Sequence, residues 1–110
     1  MVFLKHILES IDWIEKDIAG FSKEQFLEDI PMQDAVIRRL EIIGEAINNL
    51  PADFKKANPD IPWQDISDTR NKLIHGYFGI DLSLVWSIVQ NDIPPLKEQI
   101  QNIFQFWRKE

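Results

Sequence analysis

The stretch Pro31-Met-Gln-Asp-Ala-Val-Ile-Arg-Arg-Leu-Glu-Ile-Ile-Gly-Glu-Ala-Ile-Asn-Asn-Leu50 decides the fold of this chain. Met32, Val36, Leu40, Ile43, Ile47 and Leu50 recur at spacings of three and four, so one apolar stripe runs along about five helical turns. Pro31 suits the first turn, and Pro51 marks the far end. Gly44 and Ala46 are small enough to let a second helix approach closely.

The flanking segments carry the same period. Leu4, Ile7, Leu8, Ile11, Ile14 and Ile18 predict a helix from residue 2 to about 19, ended by Gly20. Ser22 with Gln25 is a capping-box pair, predicting a short helix over 23 to 29. Residues 52 to 62 read as a helical turn and a loop. Pro62 opens a third long helix with Trp63, Ile66, Arg70, Leu73 and Tyr77 on one side. Asp81 is placed to cap a last helix bearing Leu82, Val85, Trp86, Val89, Ile93, Leu96, Ile100, Ile103 and Trp107, with Arg108 and Lys109 at the negative end of its dipole. Pro94-Pro95 predicts a kink there, with Asn91 or Asp92 recapping the second half. Nothing alternates with period two. The expectation is one all-α domain over residues 1–110, an antiparallel four- to five-helix bundle.

Composition narrows the function. The 110 residues suffice for a single core, and 45% are hydrophobic against 27% charged. No apolar run approaches the roughly 20 residues of a membrane span, and the N-terminus lacks a signal-peptide layout. The absence of cysteine rules out disulfides and thiolate metal sites and fits a cytoplasmic protein. A formal net charge of −6 argues against a generic nucleic-acid coat protein, while leaving room for a local cationic cleft. Four tryptophans and seven phenylalanines are many for this length and suggest a buried homodimer face.

The chemistry is concentrated in Arg70-Asn71-Lys72-Leu73-Ile74-His75-Gly76-Tyr77. A permanently charged fork and an imidazole that titrates near neutrality can handle a phosphodiester without a metal. On an ideal helix, positions 70 and 75 lie about 140° apart, so they do not face one phosphate without help. Either the helix loosens towards Gly76, or two copies pack about a two-fold axis and line a groove together. Structural roles compete. Arg70 is also suited to an ion pair with Asp65, Asp68, Glu41 or Glu45. His75 suits a helix C-terminus, Tyr77 suits a core, and His6 reads as a surface residue. Two distant histidines and no His-Glu-x-x-His pattern argue against zinc, and no Gly-rich phosphate loop occurs.

Arg-x4-His-x-Tyr at 70 to 77, after Ile61-Pro62-Trp63 and before Gly79-Ile80-Asp81 and a Trp86-bearing helix, resembles the HEPN superfamily and, within it, the HepT-type toxins. The segment Arg38 to Ala46 is similar to the second long helix of that family, and the resemblance covers nearly the whole chain. It implies a bundle that dimerises with its Arg and His motifs facing a shared cleft. It also implies metal-independent endoribonuclease activity with no cofactor. The partner it implies is a minimal nucleotidyltransferase antitoxin, MntA, which transfers AMP units to the motif tyrosine, here Tyr77. In this scheme His75 is general base or acid, Arg70 clamps the phosphate, and Asn71 orients phosphate or imidazole. RNA is the expected substrate and DNA is not. The alternative is a non-catalytic helical subunit that binds nucleotide or docks a nucleotidyltransferase.

Overall fold

A computed structural model describes residues 2 to 68 and 81 to 109, with side chains as far as residue 105. Every regular element among these residues is helical. Helix α1 covers Val2–Ile18, α2 Lys23–Glu28, α3 Ile30–Asn48 and α4 Ala52–Ala57. Residues 63 to 68 are helical and are labelled α5. Helix α6 covers Leu82–Ser87, a π-helical turn covers Ile88–Asp92, and α7 covers Ile93–Lys109.

Helices α1 and α3 form the central pair, and their apolar stripes meet. Leu4, Ile7, Ile11 and Ile14 of α1 are buried against a core that includes Val36, Leu40, Ile43 and Ile47 of α3. Each such side chain contributes about 1.5–3 kcal/mol by leaving water. The two run antiparallel, since Phe3 and His6 share a cleft with Asn49 while Arg39 reaches Trp13. Helix α7 also lies antiparallel to α1. Lys97 pairs with Asp12 and Glu15, and Gln101 and Phe104 lie beside Lys5 and Leu8. The hydrogen bond to Glu15 is the main reason the Lys97 ammonium is held above its usual pKa, and Asp12 adds to the effect. Much of this pair is exposed, so water and salt screen its contribution.

The punctuation follows local chemistry. Gly20 ends α1 with φ of 80°, a left-handed conformation costly for other residues. At the start of α2, Gln25 N–H donates to Ser22 Oγ at 3.1 Å and Ser22 N–H donates to Gln25 Oε1 at 2.8 Å, completing the capping box. Asp29 then both ends α2 and caps α3, accepting from Met32 N–H at 3.0 Å. That double use removes the loop between the two helices. Asp81 caps α6 through Leu84 N–H at 3.1 Å. Asp81→Ala should therefore destabilise the protein by about 1 kcal/mol, read as a lower urea midpoint with an unchanged m-value.

The last helix departs from expectation. Instead of a second half recapped by Asn91 or Asp92, the chain widens into the π turn, where Ile93 N–H donates to Ile88 O. Backbone angles at Ile88 and Ile93 stay helical. A tight turn would set the Pro94 and Pro95 rings against carbonyls one turn back, and the wider ring relieves that crowding. The Asn91 amide donates to Ser87 Oγ at 3.2 Å instead of capping. This turn and the short helices α2 and α4 divide the chain more finely than the expected four to five helices. The side chains of Trp107, Arg108 and Lys109 lie outside the described residues. Among the described residues, no helix is long and apolar enough to cross a membrane.

Candidate functional site

Arg70, Asn71, His75 and Tyr77 lie outside the described residues, and so do Leu73, Gly76 and Gly79. The structure does define how the chain enters and leaves this stretch. On the entry side, Ile61 and Trp63 are buried. The Trp63 indole N–H donates to Asn58 O at 3.0 Å, and its ring packs 6.0 Å from that of Phe54. One turn later, buried Ser67 donates its hydroxyl to Asn48 Oδ1 at the end of α3. On the exit side, the Asp81 cap starts α6, Val85 is fully buried, and Trp86 packs 5.3 Å from Phe26. Both ends of the motif are thus fastened to the α2–α3 half of the bundle.

The carboxylates weighed as structural partners for Arg70 have various engagements. Glu41 pairs with Arg38 at 3.6 Å, and Asp68 accepts from the Gln64 amide at 2.8 Å. His6 is exposed, as expected, with its ring edge-on to Phe3 at 6.3 Å. Among the described residues, no three His, Cys, Asp or Glu side chains cluster as a metal site would.

Beside the entry lies a cavity of about 480 Å³ whose lining includes Asn48, Lys55, Lys56, Trp63, Gln64 and Ser67. Its size falls in the range of small-molecule sites. Lys55 Nζ donates to Ile47 O at 3.3 Å, placing a cation on the negative end of the α3 dipole. Lys56 stands next to it in the same lining. The sequence carries no signal for these two lysines, because nothing in a Lys-Lys pair on a short helix shows that it faces the residues before Arg70.

A family model described as "HepT-like: Ribonuclease HepT-like" matches residues 7–103, and the chain belongs to that family. Among its relatives is a Methanocaldococcus jannaschii protein named "Gamma-glutamylcyclotransferase and putative RNase", 48% identical over 104 residues. That match takes in 94% of this chain but only 47% of the relative, so the chain spans about half of that protein's length. The "Probable ribonuclease HepT" of Thermococcus cleftensis is 46% identical over 101 residues, covering 92% of each chain. A Caldanaerobacter subterraneus protein named "Putative RNase" is 39% identical, covering 94% of this chain and 92% of its own. No solved structure matches the chain.

Proposed function

We propose that this chain is a metal-independent endoribonuclease and the toxin of a toxin–antitoxin pair. The observation that carries the reading is that the family match, residues 7–103, spans the entire Arg70-x4-His75-x-Tyr77 motif. RNA brings its own nucleophile, the ribose 2′-hydroxyl. The protein need only deprotonate it, hold the phosphate in line and stabilise the added negative charge. His75 removes the proton, or returns one to the departing 5′-oxygen, with a second subunit's histidine available for the other transfer. Arg70 grips the non-bridging oxygens, and its two-pronged geometry fits a phosphorane-like transition state. Asn71 orients the phosphate or the imidazole. The 2′-oxygen bonds to phosphorus as the bond to the 5′-oxygen breaks, leaving a 2′,3′-cyclic phosphate. DNA lacks the hydroxyl and stays intact.

The working unit in this proposal is a homodimer. Leu27 of α2, Ile30 at the start of α3 and Leu84 of α6 are exposed apolar side chains on elements that pack together, which supports a covered face on this side of the bundle. Control passes through Tyr77. A minimal nucleotidyltransferase of the MntA kind adds AMP to its hydroxyl, bringing a fixed negative phosphate and a bulky base to the Arg70 side of the cleft. The setting is cytoplasmic.

The test is single-stranded RNA incubated with purified protein in excess chelator, alongside calorimetry with ATP. Cleavage that persists in chelator and is lost on adenylylation supports the proposal, and Tyr77→Phe should cut RNA yet escape silencing. Tight ATP binding with no cleavage would favour the alternative, a non-catalytic nucleotide-binding or docking subunit.

A further inference from the structure

Lone exposed apolar residues are ordinary on a protein surface. Trp13 is exceptional in its company. Its side chain is 48% exposed on the outer side of α1, and two cations from different helices lie against the ring. Lys16 Nζ, one turn along α1, is 5.3 Å from the ring centroid, and Arg39 Cζ, across the groove on α3, is also 5.3 Å away. Neighbouring cations are spent on carboxylates, Arg38 on Glu41 and Lys97 on Asp12 and Glu15. Among the described residues, Lys16 and Arg39 have no such ion pair.

We infer that Trp13, Arg39 and Lys16 form a stacking platform for an unpaired base of single-stranded RNA. The inference rests on the ribonuclease reading and adds a substrate subsite to it. With a net charge of −6, this protein cannot hold RNA by a broad cationic surface. Stacking is a form of affinity that needs no such surface, because every base has a π face that an indole can cover. The two cations serve the same ligand. A guanidinium can move from the indole to stack on the base or to grip the adjoining phosphate, and an ammonium can neutralise the next one. Glu9 and Asp17 stand one turn to either side of Trp13 on α1, which confines the cationic character to one or two nucleotides. Arg39 lies nine residues before Asn48, the α3 residue that holds Ser67. At 1.5 Å and 100° per residue the two lie about 14 Å apart along α3 and on opposite sides of it, so a strand held at the platform must pass round the helix to reach the entry to the motif.

The test compares wild type with Trp13→Ala, Trp13→Phe and Arg39→Ala. It reads steady-state cleavage of a single-stranded RNA, anisotropy of a labelled oligonucleotide on His75→Ala backgrounds, and oligomeric state. Trp13→Ala should raise KM and the dissociation constant about tenfold while kcat stays within twofold, and Trp13→Phe should recover most of the loss. Arg39→Ala should weaken binding and flatten its salt dependence by close to one phosphate contact. Unchanged KM and binding in a folded Trp13→Ala protein that cuts RNA would overturn the platform and leave the ribonuclease reading standing. Conversion of the Trp13→Ala protein to a smaller assembly would assign the indole to a subunit contact and also overturn it. A wild-type protein that neither binds nor cuts RNA would remove both.

Discussion

His75→Ala protein is expected to fold and assemble like wild type and to leave RNA uncut, with a loss in kcat/KM of about 10³-fold or more. A positioned general acid–base group contributes roughly 10²–10⁴-fold. Arg70→Ala should fall as far, since a charge clamp on the reacting phosphate is worth about 10²–10³-fold or better. In the proposed mechanism the two act on one transition state, so the double variant should lose little more than either single one. Arg70→Lys should recover only part of the activity, as an ammonium keeps the charge but loses the two-pronged grip. The measurement is initial rates on a fluorogenic single-stranded RNA, with circular dichroism and sedimentation confirming fold and assembly. Undiminished cleavage by a folded His75→Ala protein contradicts the assignment. A neutral or stabilising Arg70→Met that also retains activity would make the arginine an ion-paired core residue instead.

The second large effect is on stability. Phe26→Ala should destabilise the protein by about 3–5 kcal/mol, the usual cost of emptying a well-packed phenylalanine site. Phe26 is fully buried, and its ring packs 5.3 Å from that of Trp86. Its carbonyl accepts the buried Gln33 amide at 2.9 Å, so the same residue ties α2 to α3 and to α6. At about 4–8 °C per kcal/mol for a domain of this size, the melting temperature should drop by about 12–40 °C. A drop under 5 °C would mean that Phe26 does not hold α6 in place.

The parts of this fold that were legible in the sequence are those fixed by chemistry within a few residues. The stop at Gly20, the Ser22–Gln25 box and the Asp81 cap each depend on one turn of backbone, and the stripes of α1 and α3 depend only on helical period. What escaped depends on partners that sequence order does not reveal. Gln33 is 9% exposed inside the core because its amide meets the Phe26 carbonyl across a helix junction. Ser67 is buried because Asn48, 19 positions earlier, takes its hydroxyl. The Pro94-Pro95 pair correctly signalled a break in the hydrogen-bond ladder, but two remedies satisfy that chemistry and the chain uses the π turn. Arg70, Asn71, His75 and Tyr77 fall outside the described residues, and the roles proposed for them rest on the motif and the family. The Trp13 platform was invisible in the sequence, since Arg39 reaches it from 26 positions away.

The most direct test of the central claim is the chemistry of the cut ends. An RNA oligonucleotide carrying a single ribonucleotide in a 2′-deoxy background, incubated with the protein in chelator, should be cleaved only 3′ of that ribose. Mass spectrometry should find a 2′,3′-cyclic phosphate on one fragment and a free 5′-hydroxyl on the other. Fragments ending in 3′-hydroxyl and 5′-phosphate, or cleavage of the all-deoxy strand, would show that water or another nucleophile attacks the phosphorus, contradicting the role given to Arg70 and His75.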